Sequence, residues 1–145
     1  MHATMQVTLT HEQRNVLYRQ IVMEVSAATD MEPAAIRDAL ERFKPEFNLL
    51  DQIGWEPEAE GATFELAVDP ALLYDRVGKW SQETEGEIQY DNRSLAQQRA
   101  GDSEHFFIGH GQEESIAMSI RTIDKRLEEL HALKSILAQV PPSAA

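Results

Sequence analysis

Apolar residues at helical spacing from Leu17 onward predict the first helix of the chain. The run from Leu17 to Ala28 places an apolar residue on one face of each turn, which predicts a helix over 11–28. Thr10 and Gln13 precede this run with the spacing of a capping box, in which each side chain bonds the backbone N–H of the other residue. The pattern therefore predicts both the helix and its first residue.

Two shorter helices are predicted next. Thr29–Glu32 repeats the spacing of a capping box and predicts the start of a second helix. Pro45 disfavours helical geometry in the residue before it, so this helix ends or kinks there. A third helix is predicted over 45–53, with Gly54 as its left-handed C-cap. Trp55 follows directly, and we expect this large aromatic residue to fold back onto the apolar face of the third helix.

Alternation of apolar and polar residues, which is typical of half-buried strands, occurs in three short segments. A helix over 70–84 is predicted after the first of them, with Asp69 as its N-cap and Gly86 marking its end. The three segments would together form a small antiparallel sheet, and they are residues 63–68, 87–90 and 105–108.

The strongest pattern predicts a long last helix over 112–139, which contains no proline and no internal glycine. At 1.5 Å per residue this helix would be about 42 Å long, which is more than a domain of this size covers by itself. Its apolar residues step by three and four, as in a coiled coil. We therefore expect a homodimer whose interface is formed by Ile116, Ile120, Ile123, Leu127, Leu130, Leu133 and Leu137.

The predicted fold is mainly α-helical. It is a helical bundle with a long C-terminal helix and a small antiparallel β element, and an α+β fold is the alternative. We expect a flexible N-terminus over 1–10, a single helical domain over 11–140 and a disordered tail over 141–145.

Charge and composition narrow the classes of function. The chain has 145 residues and a formal net charge of −12, which disfavours nucleic acid and anionic membranes as partners. It contains no cysteine, so disulfides, thiolate metal sites and cysteine nucleophiles are excluded. No apolar run reaches the length of a membrane helix and no signal peptide is evident, so we expect a cytoplasmic protein that needs no cofactor.

The segment HFFIGHG, from His105 to Gly111, is the best candidate for chemistry. A metal site formed by His105, His110 and Glu113 is one hypothesis, since imidazole and carboxylate ligands suit Zn²⁺, Mn²⁺ or Fe²⁺. The plainer interpretation is a buried strand with a turn at its end, because the two glycines give the backbone freedom for a tight turn.

A DNA-binding regulator is a further alternative, because three short helices followed by a strand resemble a winged helix. The third helix would then read the DNA, yet it contains Glu46 and Asp51 and little positive charge. None of the common nucleotide-binding or hydrolase motifs is present. The sequence therefore favours a non-enzymatic protein-interaction or regulatory protein, which forms a homodimer and binds a further protein partner.

Overall fold

The computed structural model describes residues 4–29 and 33–141, with side chains described for residues 4–28 and 38–141. The second predicted capping box, Thr29–Glu32, and the predicted tail after residue 141 lie outside the described residues. Within the described part the protein is mainly helical with a two-stranded antiparallel sheet, which confirms the predicted fold class. Its elements are β1 (Met5–Thr10), α1 (His11–Thr29), α2 (Pro33–Arg42), α3 (Lys44–Ile53), β2 (Thr63–Val68), α4 (Pro70–Arg99) and α5 (Gln112–Leu137).

The chain divides into two compact units, and the single helical domain over 11–140 stays a prediction. Unit 1 comprises residues 1–78 and 132–145, and unit 2 comprises residues 79–131. Both α4 and α5 contribute residues to each unit. Unit 1 is therefore discontinuous in sequence, and unit 2 is inserted within it.

The sheet of unit 1 contains a strand, β1, that is not among the predicted elements. β1 pairs antiparallel with β2, from Met5 opposite Val68 to Thr10 opposite Thr63. Residues 5–10 were expected to be flexible, but they alternate in the same way as β2, and Val7 and Leu9 are completely buried. Burial of these two side chains and pairing with β2 order the segment. The predicted strand over 63–68 is confirmed.

Two glutamine side chains cover part of the open edges of this sheet. The Gln139 carboxamide accepts a hydrogen bond from Thr8 N and donates one to Thr8 O, at 3.1 and 2.8 Å. On the opposite edge, the Gln52 carboxamide makes the same pair of bonds with the backbone of Ala67, at 2.7 and 2.9 Å. Each carboxamide therefore takes the place that a neighbouring strand would occupy.

The predicted capping box at the start of α1 is confirmed. Gln13 Oε1 accepts a hydrogen bond from Thr10 N at 2.8 Å, and Thr10 Oγ1 accepts one from Gln13 N at 3.1 Å. Two backbone donors at the helix start are satisfied in this way. The same contacts join the end of β1 to α1, so the chain turns from strand to helix without a loop.

The junction after α3 is held by a buried arginine. All five N–H donors of Arg14 form hydrogen bonds. Nε donates to Ile53 O, and one Nη donor bonds the side-chain oxygen Asn15 Oδ1. The remaining Nη donors bond the backbone carbonyls of Gly54, Glu56 and Pro57. Its side chain is completely buried, and this burial lowers the pKa of Arg14. The guanidinium group therefore fixes the loop that follows α3.

Gly54 caps α3 as predicted, and Trp55 folds back onto α3 as predicted but does not enter the core. Gly54 has φ +99°, and its N–H donates to Leu50 O at 2.7 Å. Trp55 stacks on Phe47 with ring centroids 5.6 Å apart and donates to Asp51 Oδ1, yet half of its surface is exposed. The buried face of α3 is already filled by Leu49, Leu50 and Ile53.

α4 is much longer than the predicted helix over 70–84. Asp69 Oδ1 accepts from Ala71 N at 3.0 Å, so its predicted N-cap is confirmed. Gly86 does not end the helix, and residues 87–90, predicted as a strand, lie inside it. An internal glycine costs a helix only about 1 kcal/mol, which the packing of the helix can outweigh.

The core of unit 1 lies between the sheet and the helices of that unit. Its members are aliphatic side chains with little or no exposed surface: Val7, Leu9, Val16, Leu17, Ile21, Leu49, Leu50, Ile53, Leu66, Val68, Leu73, Val77, Leu133 and Ile136.

Candidate functional site

Unit 2 is built on two antiparallel helices, which we call the hairpin: α4 from residue 79 onward and α5 up to residue 131. Ser119 Oγ donates to Gln98 Oε1 at 2.8 Å near the closed end of the hairpin. Farther along, Arg126 pairs with Glu87 and with Asp91, whose Oδ2 lies 2.7 Å from Arg126 Nε. These contacts fix which residues of the two helices face each other.

The inner face of the hairpin contains several polar residues. Ser115, Ser119 and Gln98 have at most 3 % of their surface exposed. Arg126 and Asp91, also on this face, are only partly exposed. Burial raises the pKa of Asp91 above its ordinary value, although Arg126 lies beside it. Polar contacts therefore join the two helices, while the aliphatic side chains of Ile88, Leu95 and Ile123 in the same unit are also buried.

The predicted dimer seam of α5 lies to one side of this inner face. Ile120 is one residue beyond Ser119, so it is rotated from it by about 100° around the helix. Leu127 is seven residues farther on and returns to within about 20° of Ile120. Their exposed fractions are 38 % and 47 %, which are high for large aliphatic side chains of a coiled-coil seam. The surrounding seam residues Ile116 and Leu130 are half-buried, and Ile123 is buried.

Two residues of the predicted interface lie in unit 1. Leu133 has no exposed surface, because it belongs to the core of that unit, and Leu137 is half-buried. Leu133 is therefore not available to a partner. The apolar surface that remains accessible on α5 is centred on Ile120 and Leu127.

Two buried residues of α4 border this surface: Ile88 is 9 % exposed and Leu95 is 7 % exposed. The contacts of Ser119 with Gln98 and of Arg126 with Glu87 place Leu95 at the level of Ile120, and Ile88 at the level of Leu127. All four side chains lie on the same side of the two antiparallel helices, given the helical rotation per residue. We call this set, Ile88, Leu95, Ile120 and Leu127, the apolar flank.

The three residues of the predicted metal site make separate contacts. His110 Nδ1 pairs with Glu114 Oε2 at 2.5 Å, and His105 Nε2 lies 3.7 Å from Asp102 Oδ2. Glu113, the predicted third ligand, is exposed. Among the described residues, no group of three or more histidine or carboxylate side chains is arranged to hold a metal ion. The structure therefore does not bring His105, His110 and Glu113 together.

The segment HFFIGHG is not a strand. It lies in the loop over 100–111 that connects α4 to α5, which we call the tip loop, and begins there with a 3₁₀ turn at Ser103–His105. Phe107 is 40 % exposed and Ile108 is fully exposed. The apolar character of these residues suggested burial in a strand, but glycines on both sides, Gly101 and Gly109, adopt positive φ and turn the backbone back on itself.

The third helix of the winged-helix alternative is occupied on its inner side. Glu46 of α3 is buried, and its Oε1 lies 2.5 Å from Arg76 Nε within unit 1. Buried apolar residues of α3 fill the same face. The described surface of α3 carries few cations for phosphate contacts, as the sequence already indicated.

Comparison of the chain with protein-family models, with curated proteins and with solved structures finds no match. In the part of the chain that the structure describes, none of the helices combines the length and the apolar character needed to span a membrane.

Proposed function

We propose that this chain is a non-enzymatic protein-interaction or regulatory protein that forms a homodimer through the apolar flank of its hairpin. The observation that carries the proposal is the exposure of Ile120 and Leu127 on one line of α5, beside an inner face that contains buried polar residues. Aliphatic residues at this spacing are typical of a helix face that a second helix covers.

The polar inner face supports the proposal in a second way. Because Ser115, Ser119 and Gln98 occupy the contact between α4 and α5, Ile120 and Leu127 are left at its margin. A second hairpin packed against this margin would cover the flank of both copies and produce a four-helix arrangement. Removal of these side chains from water is the driving force that we assign to the dimer.

The experiment is a measurement of molar mass by light scattering at low micromolar concentration. We expect twice the chain mass of 16.4 kDa for the wild type and the single chain mass for Leu127→Glu and Ile120→Glu. A carboxylate at either position would have to be buried without a partner in the dimer. A wild-type protein with the mass of one chain would overturn the proposal.

The matched control is Gln97→Glu, which also adds one negative charge to the hairpin. Gln97 is exposed and is rotated by about 100° from Gln98 of the inner face, toward the side opposite to the flank. We expect this variant to keep the dimer mass. Far-ultraviolet circular dichroism of all variants checks that the helices are retained.

Metal binding and DNA binding stay predictions from the sequence. Metal analysis of protein purified without a histidine tag, together with a His110→Ala variant, tests the first. Salt-dependent retention on DNA tests the second.

A further inference from the structure

The tip loop presents apolar side chains to water in a fixed conformation. Ile108 is fully exposed and Phe107 is 40 % exposed, at the end of the hairpin where α4 and α5 are joined. An exposed aliphatic side chain is ordinary by itself. What sets this pair apart is the number of contacts that hold its backbone in place.

Buried polar side chains of the hairpin bond the backbone of the tip loop. Gln98 Nε2 donates to His105 O at 2.8 Å, and Ser115 Oγ accepts from Phe107 N at 3.0 Å. Both side chains are at least nine-tenths buried. Gln112 Nε2 also donates to Gln98 O at 3.0 Å, which joins the first residue of α5 to α4. The loop cannot fold Ile108 inward without breaking the hydrogen bonds to His105 O and Phe107 N.

The turn that carries Ile108 is also closed by its own backbone. His110 N donates to Phe107 O at 2.9 Å, and Gly109 adopts φ +80°, which other residues rarely do. A preorganised loop loses little conformational entropy when its exposed side chains are buried by a partner. The tip loop therefore presents its exposed side chains in a preorganised conformation and is not merely a flexible connection between α4 and α5.

The residues around Ile108 in the sequence are acidic. Asp102 and Glu104 precede it, and Glu113 and Glu114 follow it. No lysine or arginine occurs in the sequence between Arg99 and Arg121. A surface that buries Ile108 and approaches these carboxylates must therefore supply positive charge at its rim.

We infer that the tip loop is a docking site for a partner protein that has an apolar pocket rimmed by lysine or arginine. A second copy of this chain does not supply such a basic rim, because it has 25 aspartate and glutamate residues against 13 lysine and arginine residues. An anionic membrane surface is repelled for the same reason. This site is separate from the apolar flank and does not depend on dimer formation.

The test is selection of a displayed random-peptide library on the full chain, followed by affinity measurements on synthetic copies of the enriched peptides. The expected peptides combine apolar and basic residues. Their affinity falls at least about tenfold for Ile108→Asp and also for Ile108→Ala, since an anchor residue at the centre of an interface carries much of the binding energy. Raising NaCl from about 50 mM to about 500 mM weakens the binding, because salt screens the charges of the rim.

Two controls make the result specific. Ser103→Asp adds the same charge as Ile108→Asp to the tip loop without removing an apolar side chain, and it is expected to bind as the wild type does. Leu127→Glu disrupts the apolar flank and is also expected to keep its affinity for the peptides. Failure of the dimer and failure of the docking site are therefore distinguishable.

Three outcomes overturn the inference. The first is a library that yields no peptide whose binding depends on Ile108. The second is a set of peptides that bind through neutral or acidic residues without dependence on salt. The third is binding of the wild type, but not of Ile108→Asp, to phosphatidylcholine vesicles, which would make the tip loop a lipid-contacting segment.

Discussion

At the scale of single residues, Arg14 shows how backbone carbonyls can accommodate a buried charge. Its guanidinium group bonds four backbone carbonyls and one amide oxygen, and its Cζ atom lies 4.9 Å from the centroid of the Tyr18 ring. Carbonyl oxygens and an aromatic face replace the water that burial removes. The loop after α3 thus depends on one side chain of α1.

We expect Arg14→Lys to lower the free energy of unfolding by about 2–4 kcal/mol. A lysine retains the charge but has three donors on one atom, so most of the carbonyls would be left buried without a partner. Urea unfolding measured by circular dichroism gives the change. The control Arg93→Lys, at an exposed position of α4, should alter stability by less than about 0.5 kcal/mol. Equal effects of the two substitutions would contradict this role.

Asp91 leads to a prediction on pH dependence. Burial raises its pKa above the ordinary value of 3.8, so the native state holds the proton more tightly than the unfolded chain does. Its stabilising contribution is therefore present below pH 3.8 and is lost as the pH rises through the native pKa.

We expect the wild type to lose stability relative to Asp91→Asn as the pH rises from about 3 to about 7. Urea unfolding of both proteins at several pH values measures the difference between them. Asp124→Asn, at an exposed position of α5, is the control and should show no such trend. A difference that is constant, or that has the opposite sign, would show that burial does not govern the ionisation of Asp91.

At the scale of elements, the sequence was most informative where local signals and packing agree. The capping box of α1, the N-cap of α4 and the long apolar pattern of α5 were each sufficient to predict their element. β1 was missed although Val7 and Leu9 alternate with polar residues, because its partner β2 is more than fifty residues away. The pairing is a tertiary contact, and local propensity does not report it.

α4 shows the opposite failure. Gly86 and the weak alternation after it suggested a turn and a strand, yet the helix continues to Arg99. Local preference for a turn at a glycine is weak compared with the packing of the surrounding helical turns. The contacts of Glu87 and Asp91 with Arg126 are among those that favour the helix over the alternatives.

We expect Gly86→Ala to raise the free energy of unfolding by about 0.5–1 kcal/mol, because alanine lowers the conformational entropy of the unfolded chain. A Cβ atom at this position would meet no other atom within 4 Å. The matched control is Gly109→Ala, which has equally open space but φ +80° and should therefore destabilise the protein. Thermal unfolding followed by circular dichroism measures both changes, and a destabilised Gly86→Ala variant would contradict the expectation.

At the scale of the whole molecule, the net charge of −12 opposes contact between copies. It acts on the proposed dimer and on the proposed docking site in opposite directions. Two acidic chains repel each other, whereas an acidic tip loop attracts a basic rim. Salt therefore separates the two interactions.

We expect the dissociation constant of the homodimer to decrease several-fold when NaCl is raised from about 50 mM to about 500 mM, because screening reduces repulsion between the chains while the apolar contact is retained. Sedimentation velocity over a range of protein concentrations measures this constant. Leu127→Glu should remain a single chain at both salt concentrations. A dimer that dissociates at high salt would indicate that charge pairs, and not the apolar flank, hold it together.

The candidate surfaces could be predicted from the sequence only in part. The spacing of Ile120 and Leu127 was evident, but whether their own chain covers them depends on the rotation of α5 against α4. The histidines of the tip loop suggested a metal site, whereas the burial expected for the neighbouring Phe107 and Ile108 is wrong, because both are exposed. The signal in the sequence was the pair of glycines on either side of them, Gly101 and Gly109, which indicate turns and adopt positive φ in the structure.

The inserted position of unit 2 has a consequence for the order of folding during translation. Residues 132–140 leave the ribosome after every residue of unit 2, and they supply Leu133, Ile136 and Gln139 to unit 1. Unit 2 is complete in sequence while β1 and β2 still lack that last segment. Unit 1, although it contains the first residues of the chain, therefore reaches its native state last. A ribosome that stalls at residue 131 would hold a complete hairpin, whereas the core of unit 1 would still be incomplete.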